Sequence, residues 1–327
     1  MAAPEAPPTA IERPDERHWL AHSLAPEYQI VRLLGRGATG TVYLALDVRL
    51  QRYVAVKALL LDHLRDDALR RQFRREALAN ARLAHPSIVP IHAFVESSDV
   101  VASVMRYVRG PSLAYVLWRR VPLPVPEACR ILGDLAGALA YAHRQRIVHR
   151  DIKPENVLLD NDSGRAMLTD FGIARSVSLD AMRIDEMRAE RGVIRGTAHF
   201  MSPEQAAGEP ELDGRSDLYS LGVLGYALLS GTLPFEGRAL REIIAAHGSI
   251  LPPSLAERAP HLSPDTVRTI MRCLAAAPED RWPDGDALAD ALRREGVRPR
   301  ALRARALKSR VGRVIGRIVG ERAGGLD

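Results

Sequence analysis

Apolar residues in this chain change their period about a third of the way along. Up to about residue 108 they mostly follow the spacing of strands: Val54-Ala55-Val56-Lys57 alternates, and Thr41-Val42-Tyr43-Leu44 is β-branched and aromatic. One helical interruption is predicted over about 62–84, where Leu64, Leu69, Phe73, Leu78 and Leu83 roughly hold one stripe. From Pro126 onward helical patterns take over. Residues 128–143 are rich in alanine and leucine, and 217–229 are almost uniformly apolar, as a core helix should be. The expected fold class is α+β, with a small β-rich N-lobe carrying one helix and a larger, mostly helical C-lobe. Residues 1–27 hold Pro4, Pro7, Pro8, Pro14 and Pro26 among alanines and charges, too little apolar material to order independently, and are expected to be a disordered leader. No internal repeat is visible.

With 327 residues, 46% of them hydrophobic, the chain can bury a core in each lobe. Its two cysteines, Cys129 and Cys273, follow no metal-site spacing, so they are expected to be buried thiols in a reducing compartment. No run of about 18 apolar residues occurs and the N-terminus has no charged-then-apolar secretory pattern. The expected location is cytoplasmic.

The chemistry concentrates in His149-Arg150-Asp151-Ile152-Lys153-Pro154-Glu155-Asn156. Asp151 can orient an attacking hydroxyl and accept its proton, Asn156 can hold a magnesium ion, and Lys153 can neutralise a phosphate as charge spreads over its oxygens. Upstream, Leu34-Gly35-Arg36-Gly37-Ala38-Thr39-Gly40-Thr41-Val42 places glycines where a strand pair can fold over phosphates with its N–H groups accessible. A dinucleotide fold would need the third glycine to open a helix, whereas the residues after Gly40 read as strand. Lys57, at the end of an alternating run, can reach the α- and β-phosphates or be an ordinary strand lysine. Glu76, on the predicted helix, can pair with Lys57 or be one more surface charge. Downstream, Asp170-Phe171-Gly172 supplies a second metal-binding carboxylate. A nucleotide would lie between the lobes, because Lys57 and the glycines come from one and Asp151, Asn156 and Asp170 from the other.

Together these motifs resemble the protein-kinase superfamily, and within it the bacterial eukaryotic-like (Hanks-type) Ser/Thr kinases, over residues 28–293. Ser202-Pro203-Glu204, Asp217 and Arg281 extend the likeness, and Lys153-Pro154 is the Ser/Thr form of the catalytic loop. The resemblance implies a bilobal protein-kinase-like fold with an N-lobe at 28–108 and a C-lobe at 109–293. It implies ATP and Mg2+ as cofactors, transfer to Ser/Thr of protein substrates, and Thr197 bonding Asp151 and Lys153. It implies that Glu204 pairs with Arg281 and that Asp217 anchors the catalytic loop. The adenine would be read by the Arg106 carbonyl and the Val108 N–H, between Leu34, Val42, Ala55 and Leu158, with Met105 controlling the rear pocket. Ile173 resembles the feature favouring threonine acceptors.

Several positions depart from the family pattern. Arg106 stands where Glu is usual, and Asn80 stands where an apolar residue usually joins a column with Phe171 and His149. The activation segment has no Ser or Thr between 185 and 192. Either Glu190 or the Asp185-Glu186 pair replaces the usual phosphate toward Arg150, or this stretch is a solvated loop. Ser176 and Ser178 remain candidate phosphosites.

Residues 295–327 carry nine Lys/Arg against three acids, which accounts for the whole net charge of +6. Leu302, Leu307, Val311, Val314, Ile315 and Ile318 recur at helical spacing among the arginines, so the 294–327 tail reads as a basic amphipathic segment or a solvated one. Its partners could be an anionic membrane surface, which would make the protein peripheral at the inner face, or an acidic partner; no specific nucleic-acid recognition is expected. Two other readings stand beside the kinase. A pseudokinase scaffold would normally have lost Lys57, Asp151 or Asp170, and a small-molecule phosphotransferase would lack Lys153-Pro154 and the Gly196-Thr197 to Glu204 platform; all are present.

Overall fold

The computed structural model describes residues 14–36, 40–59, 66–171, 197–235 and 252–297. The N-lobe is a five-stranded antiparallel sheet in the order β1-β2-β3-β5-β4, formed by β1 (Tyr28–Arg36), β2 (Gly40–Asp47), β3 (Arg52–Leu59), β4 (Ile91–Glu96) and β5 (Val101–Arg106). Its pleat sorts side chains by parity. Tyr43, Ala45, Val54, Val56, Ala58, Ala102 and Val104 form one buried cluster. Val42, Ala55 and Met105, each displaced by one residue, belong to a different cluster facing the C-lobe.

Two helices accompany the sheet. α2 (Asp67–Asn80) starts where Asp66 accepts hydrogen bonds from the Ala68 and Leu69 N–H groups, so its first orphan donors are satisfied. It buries Phe73, Ala77 and Asn80, while Leu78, expected on the apolar stripe, is 49% exposed. The other helix corrects the sequence reading. α1 (Pro14–Leu24) lies within the stretch expected to be a disordered leader, with Leu20 and Leu24 buried on the Tyr43–Val56 face of the sheet. Residues 14–24 have too little apolar surface to fold alone, but two leucines four apart meet a sheet face that needs cover.

The C-lobe core is built on α4 (Val125–Arg144) and α5 (Gly214–Ser230), with α6 (Pro264–Cys273) and α7 (Gly285–Val297) packed around them, after a short α3 (Leu113–Arg119). Every residue of α5 from Ser216 to Leu229 is buried, as its uniform hydrophobicity predicts. Gly222 lets α6 approach closely, since a Cβ there would collide with Cys273. Both cysteines are free, and burial pushes their thiols up to about 11 at Cys129 and about 12 at Cys273, which leaves them protonated and unreactive. No described helix is long and apolar enough to cross a membrane. Between the lobes runs residues 107–112, followed later by the hairpin of β6 (Val157–Leu159) and β7 (Ala166–Leu168).

Candidate active site

The catalytic loop hangs from one buried carboxylate. Asp217, at the start of α5 and 1% exposed, accepts hydrogen bonds from the His149 N–H and the Arg150 N–H, each at 2.8 Å, and lies 2.8 Å from His143 Nε2. Arg150 has a positive φ of 64°, a conformation that costs an L residue about 1–2 kcal/mol. The loop is held there from both sides, because Gln205 Nε2 also donates to the Arg150 carbonyl at 3.1 Å. Gln205 is fixed in turn by a capping box with Ser202 at the start of the helical turn Pro203–Ala206.

His149 is fully buried, and burial lowers its pKa below the ordinary 6.5 despite the nearby Asp217 and Asp151. A neutral ring fits its partners: Nε2 lies 3.1 Å from the Thr169 carbonyl, which can only accept, so Nδ1 is the acceptor for the Asp151 N–H at 3.2 Å. The ring also packs on Phe171, with centroids 4.4 Å apart. One histidine thus ties the catalytic loop to the segment carrying Asp170.

On that scaffold the predicted residues converge. Asp151, 7% exposed, has Oδ2 2.9 Å from the Asn156 amide nitrogen and 3.0 Å from Lys153 Nζ. Asn156 Nδ2 also donates to the Asp151 carbonyl at 2.8 Å, so the amide nitrogen is committed and the amide oxygen is the atom Asn156 can offer a cation. Lys57, on β3, places Nζ 2.8 Å from Asp170 Oδ1 and joins the two lobes. Asp170 itself sits at a φ of 60°, which aspartate tolerates better than most residues. Glu76, on α2, accepts from Gln72 and lines the same cavity as Lys57, Met105 and Asp170. Among the described residues no three His, Cys, Asp or Glu side chains cluster as a metal site. Two oxygen ligands from Asp170 and Asn156 still suit magnesium, which commonly takes one or two protein ligands and completes its shell with phosphate and water.

An apolar cluster lies where the two lobes meet. Ala55, Met105 and Val108 form a buried cluster with Val42 and Leu158 packed against it, and Met167 joins them. Leu34, on β1, is 36% exposed and stands outside the cluster. Gly35 and Arg36 close β1, and Gly40 and Thr41 open β2. Gly37, Ala38 and Thr39 lie outside the described residues, as do Gly172, Ile173, Ser176, Ser178, Asp185, Glu186, Glu190, Gly196 and the tail from 298. Thr197 opens a 3-10 turn, Thr197–Phe200, on the path to Ser202.

The departures at Arg106 and Asn80 acquire structural meanings. Arg106 Nη2 donates to the buried Asp160 at 2.8 Å, linking the end of β5 to the β6–β7 hairpin, and a Cβ on Gly110 would run into the Leu159 carbonyl. The interlobe segment is therefore seated on the hairpin by both contacts. Nothing in the sequence marked Asp160 as a partner. Asn80 is 9% exposed and its buried Oδ1 makes no hydrogen bond, in a cavity shared with Phe171. An unsatisfied buried amide costs about 1–3 kcal/mol. Asn80→Leu should raise both thermal stability and basal activity by relieving that column; unchanged melting temperature and unchanged initial rate would contradict this.

A strand lysine from above, reaching the aspartate beside a loop that supplies Asp, Lys and Asn from below, defines the protein-kinase class. The chain belongs to the protein kinase family: the model of the protein kinase domain matches residues 28–292. It is 37% identical to the serine/threonine-protein kinase PrkC of Bacillus subtilis over 79% of this chain and 39% of that protein. It is 41% identical to the serine/threonine-protein kinase pkn2 of Myxococcus xanthus, over 81% of this chain and 32% of that protein. The chain thus spans well under half the length of these relatives. Among solved structures, the kinase domain of Mycobacterium tuberculosis PknI superposes with a TM-score of 0.64 at 33% identity, covering 83% of this chain and 96% of that one. The bilobal fold expected from the sequence is the fold of this family.

Proposed function

We propose that this protein is an ATP- and magnesium-dependent protein kinase that transfers the γ-phosphoryl group to Ser and, preferentially, Thr hydroxyls of proteins. The observation that carries this reading is the arrangement of Asp151, Lys153 and Asn156 on one rigid loop, with the Lys57–Asp170 pair spanning the lobes at 2.8 Å. Asp151 orients the acceptor hydroxyl and takes its proton. Lys153, 3.0 Å from the same carboxylate, is placed to balance charge gathering on the transferred phosphate. Lys57 is positioned to grip the α- and β-phosphates, and the slot around Ala55 and Met105 excludes water from one end of the cleft. Magnesium bound at Asp170 and Asn156 would supply neutralisation of the phosphate oxygens.

Support for transfer rather than scaffolding is the retention of all three residues, Lys57, Asp151 and Asp170, in contact-ready positions. Support for protein acceptors is the ordered platform Ser202-Pro203-Glu204-Gln205, which holds the catalytic loop directly through Gln205. Threonine preference rests on Ile173 and the family resemblance. Peptide pairs differing only in Ser against Thr test it, with faster phosphorylation of the Thr member expected and equal rates contradicting it. Chelation of magnesium should abolish transfer to either.

The protein is further read as cytoplasmic, with residues 295–327 able to hold it at an anionic membrane surface. The support is the tail's nine basic residues interleaved with apolar ones. Co-sedimentation of the full chain with phosphatidylserine vesicles, lost in high salt and absent with neutral vesicles, is the expected result; equal recovery with both would remove the membrane reading.

A further inference from the structure

α1 begins ahead of the family match, which starts at residue 28, yet it is fastened to the N-lobe at several points. Leu20 is fully buried and Leu24 is 3% exposed in the cluster with Ile30, Tyr43, Ala45, Val54 and Val56. Trp19 Nε1 donates to the Asp99 carbonyl at 2.8 Å, in the turn between β4 and β5, and Arg17 donates to the Val31 carbonyl on β1 at 2.9 Å. The helix therefore has one seat and one orientation on the sheet.

That seat puts Glu16 against the end of β1, where the chain enters the glycine-rich stretch. Glu16 is 5% exposed and accepts a charge-assisted hydrogen bond from Arg36 Nη2. Arg36 stands between Gly35 and Gly37. Its register partner across the ladder is Thr41, so the two share a face of the sheet with Tyr43, opposite the face where Val42 meets the apolar cluster of Ala55 and Met105. Its guanidinium is therefore directed to α1 and away from the nucleotide side, and its role toward phosphate is indirect.

We infer that Glu16 is a positioning residue for the nucleotide: by holding Arg36, α1 fixes the end of β1 from which the glycine-rich stretch departs. Glycine-rich backbone has much conformational freedom to lose when it is ordered around phosphates. Tethering the Arg36 side chain at the end of β1 to a helix already packed on the sheet removes part of that cost before the nucleotide arrives, which strengthens binding without a new contact to ATP. The inference rests on the kinase reading, in which this loop covers the phosphates.

The test is a double-mutant cycle on the full chain with Glu16→Gln, Arg36→Gln and the pair together. Arg36→Gln removes the loop side of the contact without altering α1, so the cycle survives if Glu16→Gln perturbs the helix. Each single variant is expected to raise KM for ATP at least about fivefold, the scale of ordinary coupling between sites, with KM for the peptide acceptor unmoved. The double variant should be no worse than either single one. Singles that leave KM for ATP unchanged, or effects that multiply in the double variant, would overturn the proposal. Calorimetric Kd values for MgATP give the same comparison without transfer. Failure of the kinase reading is thereby separable: it would be seen as a wild-type chain that transfers no phosphate, whatever the cycle shows.

Discussion

Asp151→Asn is expected to lower kcat about 10²- to 10⁴-fold, the range for loss of a positioned general base, while KM for ATP stays close to wild type. The expectation follows from what the carboxylate does in the structure. Asp151 is 7% exposed, with Lys153 Nζ and the Asn156 amide nitrogen on one oxygen, and its backbone N–H is held by His149. An amide of the same shape keeps the packing and cannot accept the hydroxyl proton. The loss should fall on kcat because Asp151 is not part of the apolar cluster around Ala55 and Met105, the proposed seat of the nucleotide base. Steady-state kinetics with ATP varied at fixed peptide, beside a thermal melt of both proteins, checks it. A variant with less than about a tenfold loss in kcat, or one whose defect lies only in KM for ATP, would contradict the assigned role.

The largest effect on stability is expected from Arg281→Lys. Arg281 is 1% exposed, yet all of its nitrogens are used: Nη1 and Nη2 meet Glu204 at 2.6 and 2.8 Å, and the Ala275, Ala276 and Arg215 carbonyls accept from Nε, Nη2 and Nη1. Its guanidinium also lies 5.0 Å from the Tyr219 ring centroid. A lysine has one nitrogen and no fork, so it leaves Glu204 and several carbonyls under-bonded. Losing about two charge-assisted hydrogen bonds, at roughly 1.5–3 kcal/mol each, for a domain of this size lowers Tm by roughly 10 °C. A melt within about 2 °C of wild type would show that the pair contributes far less than its geometry implies.

The same carboxylate sets a pH signature. Burial alone would raise Glu204, but the hydrogen bonds from Arg281 and Ser216 outweigh it and hold the group down at about 2, against an ordinary 4.5. A depressed carboxylate contributes stability that is present above 4.5 and is lost as pH falls toward 2. His149 acts earlier. Its pKa is lowered from 6.5 by burial, so the unfolded chain takes up that proton first and stability begins to fall as pH drops through 6.5.

The candidate catalytic residues are legible because their chemistry is written in adjacent positions. His149 to Asn156 form one loop, and the backbone places them without help from distant sequence. The strands were legible for a related reason: Val54-Ala55-Val56-Lys57 alternates because one face of β3 packs under α1 and the other lines the cleft. What could not be read was pairing across the fold. Asp160 lies 54 residues from Arg106, and no local pattern says that the hairpin carboxylate answers the unusual hinge arginine. α1 is not legible in the sequence because residues 14–24 carry little apolar content of their own, whereas its two leucines gain their burial from a sheet face formed later in the chain. Asn80 went the other way. A polar residue at an apolar position was visible at once, and the structure leaves its amide oxygen unpaired.

Phosphoryl transfer by this chain is measured by incubating the purified full chain with γ-labelled ATP, magnesium and a generic protein acceptor, beside Asp151→Asn and Asp170→Asn. Label on Ser and Thr residues is expected for the wild type and almost none for either variant. Binding of MgATP by the wild type without transfer of label would contradict it and leave the chain a nucleotide-binding scaffold.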